Sequence, residues 1–257
     1  SEDKITEDSA EKFVKMLVNR GHTAMVEHGT IYLTLNMTNR QEYFKYCANK
    51  YSEAISEGEA EKGTWVGYVT TNYRVLLQND WLGDLQYLTE PTKHIRRITV
   101  KFVCDRGVSH EFVRHRVFSF AQESTRYCNY AKDKFGSEIT FINPCWMSDF
   151  HLGNQYSKDI VEEYRNFENW ADNPETSELL FLYSLAVSEQ NYLNLLSNGW
   201  KPQQARAVLP NSLKTELIMT GTIKQWEGFF KLRDAKDAHP QARELAQPLH
   251  EEFIKRG

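Results

Sequence analysis

The sequence predicts a single α+β domain with a largely antiparallel sheet and packed helices. Its 257 residues, 40% hydrophobic and 13% aromatic, are sufficient to bury a substantial core. Short strand-like runs dominate the first half and longer helical segments the second half, a pattern typical of α+β proteins. Because no repeat, low-complexity tract or linker divides the chain, the domain is predicted to span residues 1–257.

The first hundred residues alternate between helical and strand patterns. A helix begins at Asp8 or Ser9 and ends at Gly21, a strand covers 30–35, and a second helix runs from Asn39 through Tyr51. The charged stretch 57–62 is predicted to be a solvent-exposed loop. Strands are predicted at 64–70, 73–77 and 98–103, although residues 71–74 could instead contact a ligand.

The second half is mostly helical. Ser109 is predicted to cap a helix that carries the arginine-rich run 114–116, so that consecutive side chains point about 100° apart. A strand is predicted at 139–142. Helices follow at 157–170, at 174–198 with Gly199 as terminator, at 203–209 and after Pro240.

Charge and cysteine content narrow the class of protein. The net charge of -4 and pI near 6.1 argue against a broad nucleic-acid surface. Four cysteines lie far apart without a CxxC pair, so we expect neither a metal site nor a disulfide framework, and the composition favours a cytoplasmic protein. The longest apolar run, 179–187, is too short to cross a bilayer.

One short segment concentrates groups that bind anions. The thirteen positions from Arg114 to Arg126 include three arginines, His115 and the hydroxyl group of Ser124. An arginine side chain presents a rigid fork of donors that matches phosphate, and the interleaved apolar residues indicate a partly apolar pocket. The segment therefore predicts a site for a small phosphorylated molecule.

The same segment carries a family resemblance. Arg114-His115-Arg116, seven further residues and Ser124 resemble the signature of the flavin-dependent thymidylate synthases. The segments 21–28, 205–210 and 230–233 resemble that family's other motifs, in the family's order. The resemblance covers 10–36 and 97–250, and leaves an extended segment at about 37–96.

The resemblance implies conversion of dUMP to dTMP, with methylene-tetrahydrofolate as carbon donor, NADPH as reductant and FAD as cofactor, in a homotetramer with shared sites. Arg233 matches the arginine that activates the uracil ring. The implied cofactor contacts are His22, Arg114, His115, Arg116, Gln122, Thr222, Lys224, Gly228 and His239. The implied dUMP contacts are Glu111, Arg114, Gln122, Glu123, Ser124, Thr125, Arg126, Arg206 and Arg233.

Several positions depart from the family pattern and leave two other functions open. Glu111 stands where Gln is common, and Ala24, Thr222 and Gly228 replace polar residues near the flavin. The alternatives are a non-catalytic nucleotide- or flavin-binding homologue and a flavin-dependent NADPH oxidase. Cys145 follows a proline but lacks the context of a catalytic thiol, so we expect it to be a buried structural cysteine.

Overall fold

The computed structural model describes residue 6 and residues 8–126, 129–130, 139–147 and 174–256. Helices and antiparallel strands are mixed, which confirms the predicted α+β class. The helices are α1 (Ser9–Asn19), α2 (Arg40–Cys47), α3 (Tyr73–Gln78), α4 (Arg106–Phe112), α5 (Pro174–Ser197), α6 (Pro202–Ala205), α7 (Ile223–Arg233) and α8 (Pro240–Arg256). The strands are β1 (Thr30–Asn36), β2 (Glu53–Glu57), β3 (Val66–Asn72), β4 (Arg97–Asp105), β5 (Ser119–Gln122) and β6 (Lys214–Thr222).

The chain divides into two compact units. The first unit contains residues 1–101, 113–121 and 218–232, and the second contains 102–112, 122–217 and 233–257. The prediction of one domain spanning 1–257, with an extended segment at 37–96, stays a prediction. No helix in the described part of the chain is both long and apolar enough to cross a membrane.

The first unit contains a three-stranded antiparallel sheet in the order β1-β3-β2, with Leu33 opposite Val69. Its alternating apolar side chains pack with α2 into a core, because successive residues of a strand face opposite sides of the sheet. The buried members of this core are Leu33, Leu35, Tyr43, Tyr46, Trp65, Val69 and Leu76. A second sheet has the strand order β4-β6-β5.

Two helices end as their glycines predict. After α1, the backbone N–H of Gly21 donates to Val18 O and that of His22 donates to Leu17 O, while Gly21 has a φ of 72°. This is the paired hydrogen-bond pattern of a Schellman motif, in which glycine adopts the left-handed conformation without strain. Gly199, with a φ of 89°, ends α5 in the same way.

The predicted strand at 73–77 is wrong, because this segment forms helix α3. The side chain of Asn72 accepts a hydrogen bond from the backbone N–H of Val75 at 3.1 Å and caps the helix. A strand-like composition is therefore overridden by a local cap. The helix predicted from Asn39 begins at Arg40 but ends at Cys47, before Tyr51, and the unpredicted strand β2 follows it.

The predicted helix carrying the arginine-rich run is also wrong in its bounds. Asp105, and not Ser109, caps α4, since its Oδ1 accepts a hydrogen bond from the backbone N–H of Val108 at 2.6 Å. Ser109 is buried inside this helix. The helix ends at Phe112, so residues 114–116 lie in turns and do not fan out around a helix.

The remaining predictions of the second half have mixed outcomes. The last helix, after Pro240, is confirmed as α8. The helix predicted at 203–209 is the short α6 followed by the 3-10 turn Arg206–Val208. In place of a strand at 139–142, Phe141 forms an isolated bridge with Leu213. The helix predicted at 157–170 lies outside the described residues.

Candidate functional site

The predicted nucleotide contacts fall mainly in the second unit. They are Glu111 on α4, Gln122 at the end of β5, Glu123, Ser124, Thr125 and Arg126 in the following turn, Arg206 after α6 and Arg233 at the end of α7. Backbone pairing fixes the start of the turn, because the N–H of Glu123 donates to Glu216 O at 2.9 Å.

The turn 123–126 lies against α6 and the 3-10 helix that follows it. An arginine from each side contacts a residue of the other side. Arg206 Nη1 donates to Thr125 Oγ1 at 3.3 Å, and Arg126 Nε donates to Gln203 Oε1 at 3.4 Å. The hydroxyl of Ser124 accepts a hydrogen bond from the backbone N–H of Arg126 at 3.3 Å. The Thr125 side chain is buried whereas both arginines are exposed, so the guanidiniums can reach a ligand in solution.

Gln122 is held by residues that the resemblance does not include. Its Nε2 donates to Ser109 Oγ at 2.8 Å and lies 3.4 Å from Thr215 Oγ1. Ser109 Oγ in turn donates to Arg106 O at 2.8 Å. Since both contacts use the amide nitrogen, they fix the orientation of the Gln122 amide and direct its oxygen elsewhere.

Glu123 lies in a small charged cluster. Lys214 Nζ is 3.5 Å from a carboxylate oxygen of Glu123 and 3.1 Å from one of Glu216. All three side chains are partly buried, which makes their mutual attraction stronger than at a fully exposed site. Lys214 therefore restrains the Glu123 carboxylate within the turn 123–126, which carries four of the predicted dUMP contacts.

Arg233, the predicted catalytic residue, makes an ion pair with Glu111. Its Nη1 lies 2.5 Å from Glu111 Oε2, and its Nη2 donates to the backbone O of Glu111 at 2.8 Å. The Arg233 side chain is only 16% exposed, and a charge-assisted contact in such a partly buried place is stronger than on the surface. The structure thus brings together two residues that the sequence predicts as dUMP contacts.

The predicted flavin contacts Arg114, His115 and Arg116 lie in the first unit. Arg114 and Arg116 are exposed, and within the described residues neither side chain makes a hydrogen bond or ion pair. The His115 ring packs against Phe229, with ring centroids 5.1 Å apart, and lies 6.3 Å from the Phe118 ring. His115 is therefore positioned by aromatic packing and the two arginines remain available to a ligand.

A cavity of about 210 Å³ lies within the first unit, and Arg116 and Thr222 line it. Thr222 also caps the start of α7: its N–H donates to Gln225 Oε1 at 2.8 Å, and its Oγ1 accepts from the Gln225 N–H at 3.4 Å. This reciprocal capping holds Thr222 in the cavity wall. Arg74 and Arg97, which the resemblance does not include, line the same cavity.

Seven of the nine predicted flavin contacts do not line this cavity: Arg114, His115 and Gln122, described above, and four others. His22, Lys224 and Gly228 are exposed in the first unit, and His239 is exposed in the second, where its ring lies 5.9 Å from that of Trp146. At Gly228 an added Cβ would meet no atom within 4 Å, so packing within the chain does not require glycine there. Their roles as flavin contacts stay predictions.

Two further predictions concern thiols and metals. Cys145 is exposed, which corrects the expectation that it is buried. Desolvation, followed by the neighbouring carboxylate of Glu244, raises the pKa of the Cys145 thiol and so opposes the reactive thiolate. Within the described residues, no group of three or more His, Cys, Asp or Glu side chains could hold a metal ion.

Sequence reasoning missed Arg97 entirely and left Arg74 ambiguous. The available signal for Arg97 was a pair of arginines, Arg96 and Arg97, at the start of an apolar strand. A basic pair at a strand edge is usually solvated, and only the folded chain shows that Arg97 points into a cavity.

Comparison with known proteins decides the family. Residues 68–256 match the family described as thymidylate synthase complementing protein. The chain belongs to this family. The match includes the arginine-rich run, the turn 123–126, Arg206 and Arg233, which confirms the resemblance stated from the motifs.

Individual members of the family are also similar. The flavin-dependent thymidylate synthase of Pyrococcus furiosus is 29% identical over 153 residues, which cover 60% of this chain and 52% of the relative. That of Mycobacterium bovis is 32% identical over 141 residues, 55% of this chain and 50% of the relative. The chain spans about half the length of these curated relatives.

Proposed function

We propose that the protein catalyses the reductive methylation of dUMP to dTMP, with methylene-tetrahydrofolate as carbon donor, NADPH as reductant and FAD as cofactor. The observation that carries the proposal is the family match over residues 68–256, which contains every motif of the predicted nucleotide site. The relatives' names specify a flavin-dependent thymidylate synthase.

In this proposal the second unit binds and activates the nucleotide. Arg126 and Arg206 supply exposed guanidiniums for the phosphate of dUMP, since arginine binds phosphate through paired donors. Gln122 supplies a fixed amide for a polar group of the nucleotide. Arg233 stabilises negative charge on the uracil ring as C5 becomes nucleophilic, a role suited to a group that stays protonated.

The first unit contains residues that fit the phosphate-bearing part of a flavin cofactor. The cavity wall has more cationic than anionic side chains, and Arg116 presents its donors there without an internal partner in the described residues. Arg114, His115, Arg116 and Thr222 would hold the cofactor. FAD, when bound, supplies the redox chemistry that links the carbon donor and the reductant to the pyrimidine.

Release of tritium from C5-labelled dUMP tests the proposal, with FAD, NADPH and methylene-tetrahydrofolate each omitted in turn. We expect release of tritium and formation of dTMP only in the complete mixture. NADPH consumption without dTMP would instead identify the oxidase. Binding of FAD and dUMP with neither reaction would identify the non-catalytic homologue.

The variant Arg233→Ala tests the catalytic assignment. We expect dTMP formation to fall by at least about a thousandfold while FAD stays bound, because the variant removes transition-state charge stabilisation and leaves the first unit unchanged. Arg256→Ala, in an exposed pair with Glu252, is the matched control and should retain wild-type activity. Substantial dTMP formation by Arg233→Ala would remove Arg233 from its catalytic role.

A further inference from the structure

We propose that the cavity of the first unit is a phosphoryl-binding site in which Arg97 and Arg74 act together with Arg116. The first two residues lie outside every motif that the resemblance contains. The assignment of FAD or NADPH as the ligand rests on the proposed function. The binding of simple phosphoryl anions does not depend on it.

The charges that line the cavity favour an anion. Four cationic side chains contribute to the wall and only two carboxylates, those of Glu27 and Glu53. The cations are Lys50, Arg74, Arg97 and Arg116. A basic concavity attracts an anion more strongly than the same charges spread over a flat surface, because solvent screens them less.

Arg97 is the central residue of the argument. Its Nη1 donates to Glu27 O at 3.1 Å and to Thr30 Oγ1 at 3.2 Å, and its Nη2 donates to Ser119 Oγ at 2.8 Å. All three acceptors are uncharged, and within the described residues Arg97 makes no ion pair. These contacts orient the guanidinium without neutralising it.

Partial burial leaves this charge only partly compensated. Desolvation lowers the pKa of Arg97 below its ordinary value, although Tyr32 and the carboxylate of Glu27 act in the opposite direction. An anionic ligand in the cavity would add countercharge beside the half-buried guanidinium. Binding of such a ligand should therefore stabilise the folded protein as well as fill the cavity.

Arg74 adds a second guanidinium from a different element. Its Nη1 contacts a carboxylate oxygen of Glu27, and its side chain remains about one-third exposed. Helix α3, capped by Asn72, holds Arg74 at the cavity wall. With the exposed Arg116 from the turn before β5, three arginines from separate elements converge on one space, an arrangement that suits the several oxygens of a phosphoryl group.

The ligand chemistry is a phosphate or diphosphate, and it can come from two cofactors. FAD contributes a diphosphate, and NADPH contributes a diphosphate and a ribose phosphate. Inorganic pyrophosphate carries the same chemistry without either nucleotide. Affinities for these three ligands distinguish the sources.

The experiment compares the wild type with Arg97→Met and with Arg96→Met. Both variants replace an arginine by an uncharged chain of similar length, but Arg96 is exposed and does not line the cavity. Pyrophosphate binding is measured from its effect on thermal unfolding, and FAD and NADPH binding from fluorescence titration of flavin-free protein. We expect Arg97→Met to weaken at least one of the three ligands by about tenfold, with Arg96→Met unchanged.

The identity of the affected ligand assigns the source of the phosphoryl group. Loss of FAD affinity assigns the flavin diphosphate, loss of NADPH affinity assigns the reductant, and loss of pyrophosphate affinity alone assigns a free phosphoryl anion. Wild-type affinities of Arg97→Met for all three ligands would overturn the proposal. If Arg97→Met does not unfold cooperatively, Arg74→Met, at a more exposed position, is judged by the same criterion.

This outcome is separable from that of the proposed function. Failure of tritium release from dUMP would refute thymidylate synthesis, yet pyrophosphate binding that depends on Arg97 would still support the cavity. Conversely, wild-type ligand affinities in Arg97→Met would refute the cavity and leave dTMP formation intact.

Discussion

Arg233 makes two chemically different contacts with Glu111, and only one of them depends on the carboxylate. The 2.5 Å contact to Oε2 is an ion pair, whereas the 2.8 Å contact of Nη2 is to the backbone carbonyl. A change that removes the carboxylate therefore leaves one orienting hydrogen bond in place. The charge of Glu111 and the position of Arg233 can be separated experimentally.

The variant Glu111→Gln makes that separation and restores the residue that is common in the family. We expect the KM for dUMP to fall by about fivefold, or roughly 1 kcal/mol, because a negative charge is removed beside the site of an anionic nucleotide. The Arg233 donors are also released from a competing carboxylate. Steady-state kinetics of tritium release, with dUMP varied at saturating cofactors, measures the change.

A matched control is Glu251→Gln, which makes the same substitution at an exposed position of α8. Its KM should equal that of the wild type. A raised KM in Glu111→Gln would show that the Glu111 carboxylate assists dUMP binding, as a direct contact or through the geometry of Arg233. An unchanged KM would show that its charge does not weaken dUMP binding.

At the scale of elements, the sequence predicted those features that depend on local chemistry. Gly21 and Gly199 were correct helix terminators, since a left-handed residue is a local requirement. The strand assignment of 73–77 failed because the side chain of Asn72 caps a helix instead. The prediction that Ser109 caps α4 is wrong. Both Asp105 and Ser109 are suitable cap residues, and sequence alone does not decide between them.

The candidate site shows the same difference between features that the local sequence predicts and features that depend on long-range contacts. The motifs predicted residues that the fold does pair, such as Glu111 with Arg233 and Thr125 with Arg206. Arg97 could not be predicted, because its partners Glu27, Thr30 and Ser119 are distant in sequence. Their approach depends on strand pairing and tertiary packing, which outweigh local pattern.

His28 links a 3-10 turn, Met25–His28, to two strands of the first unit. Its Nδ1 lies 2.8 Å from Thr220 Oγ1 on β6, which lies 2.7 Å from Thr99 Oγ1 on β4. Desolvation lowers the pKa of His28 below its ordinary value of 6.5, and the nearby charge of Arg97 acts in the same direction. The fold therefore favours the neutral ring.

This shift predicts the sign of a pH effect on stability. The unfolded chain binds a proton at His28 near pH 6.5, whereas the folded chain binds it only at lower pH, so stability falls as pH decreases from 6.5 toward the folded pKa. One such proton contributes at most about 1.4 kcal/mol per pH unit. Urea unfolding between pH 7.5 and 5 measures the free energy of unfolding.

The variant His28→Asn keeps a polar atom near the position of Nδ1 and removes the titration, so its stability should depend less on pH in this window. His22→Asn, at an exposed histidine, is the control and should retain the wild-type dependence. A pH dependence in His28→Asn equal to that of the wild type would assign the effect to other groups.

For the whole molecule, the charge distribution favours a small anionic ligand over a polyanion. The chain carries a net charge of -4, yet cationic side chains exceed carboxylates in the cavity wall of the first unit. A long polyanion would meet repulsion outside such a local site, whereas a nucleotide or dinucleotide occupies only the basic region.

The segment predicted as an extension of the family pattern, 37–96, is a folded part of the first unit. It contains β2, β3, α2 and α3, and it contributes Tyr43, Tyr46 and Trp65 to the core. Arg74 lies within it and lines the cavity. The segment thus connects residues outside the family motifs to the proposed ligand site.

Assembly is the remaining prediction at this scale. The resemblance implies a homotetramer with shared sites, and closed symmetry allows residues of neighbouring copies to meet at one site. The predicted flavin contact Arg116 and the predicted catalytic Arg233 belong to different units of the chain. If each site takes these two residues from different copies, two inactive variants should complement one another.

Arg116→Met and Arg233→Ala, each expected to be inactive alone, test this when they carry different tags and are co-expressed. Random mixing in equal amounts should leave about a quarter of the sites with both native residues, and so about a quarter of wild-type dTMP formation. Light scattering after size-exclusion chromatography should show four copies of the 30.1 kDa chain in the doubly tagged fraction. A doubly tagged tetramer as inactive as its parents would place both residues of each site in one copy, and monomers alone would refute the assembly.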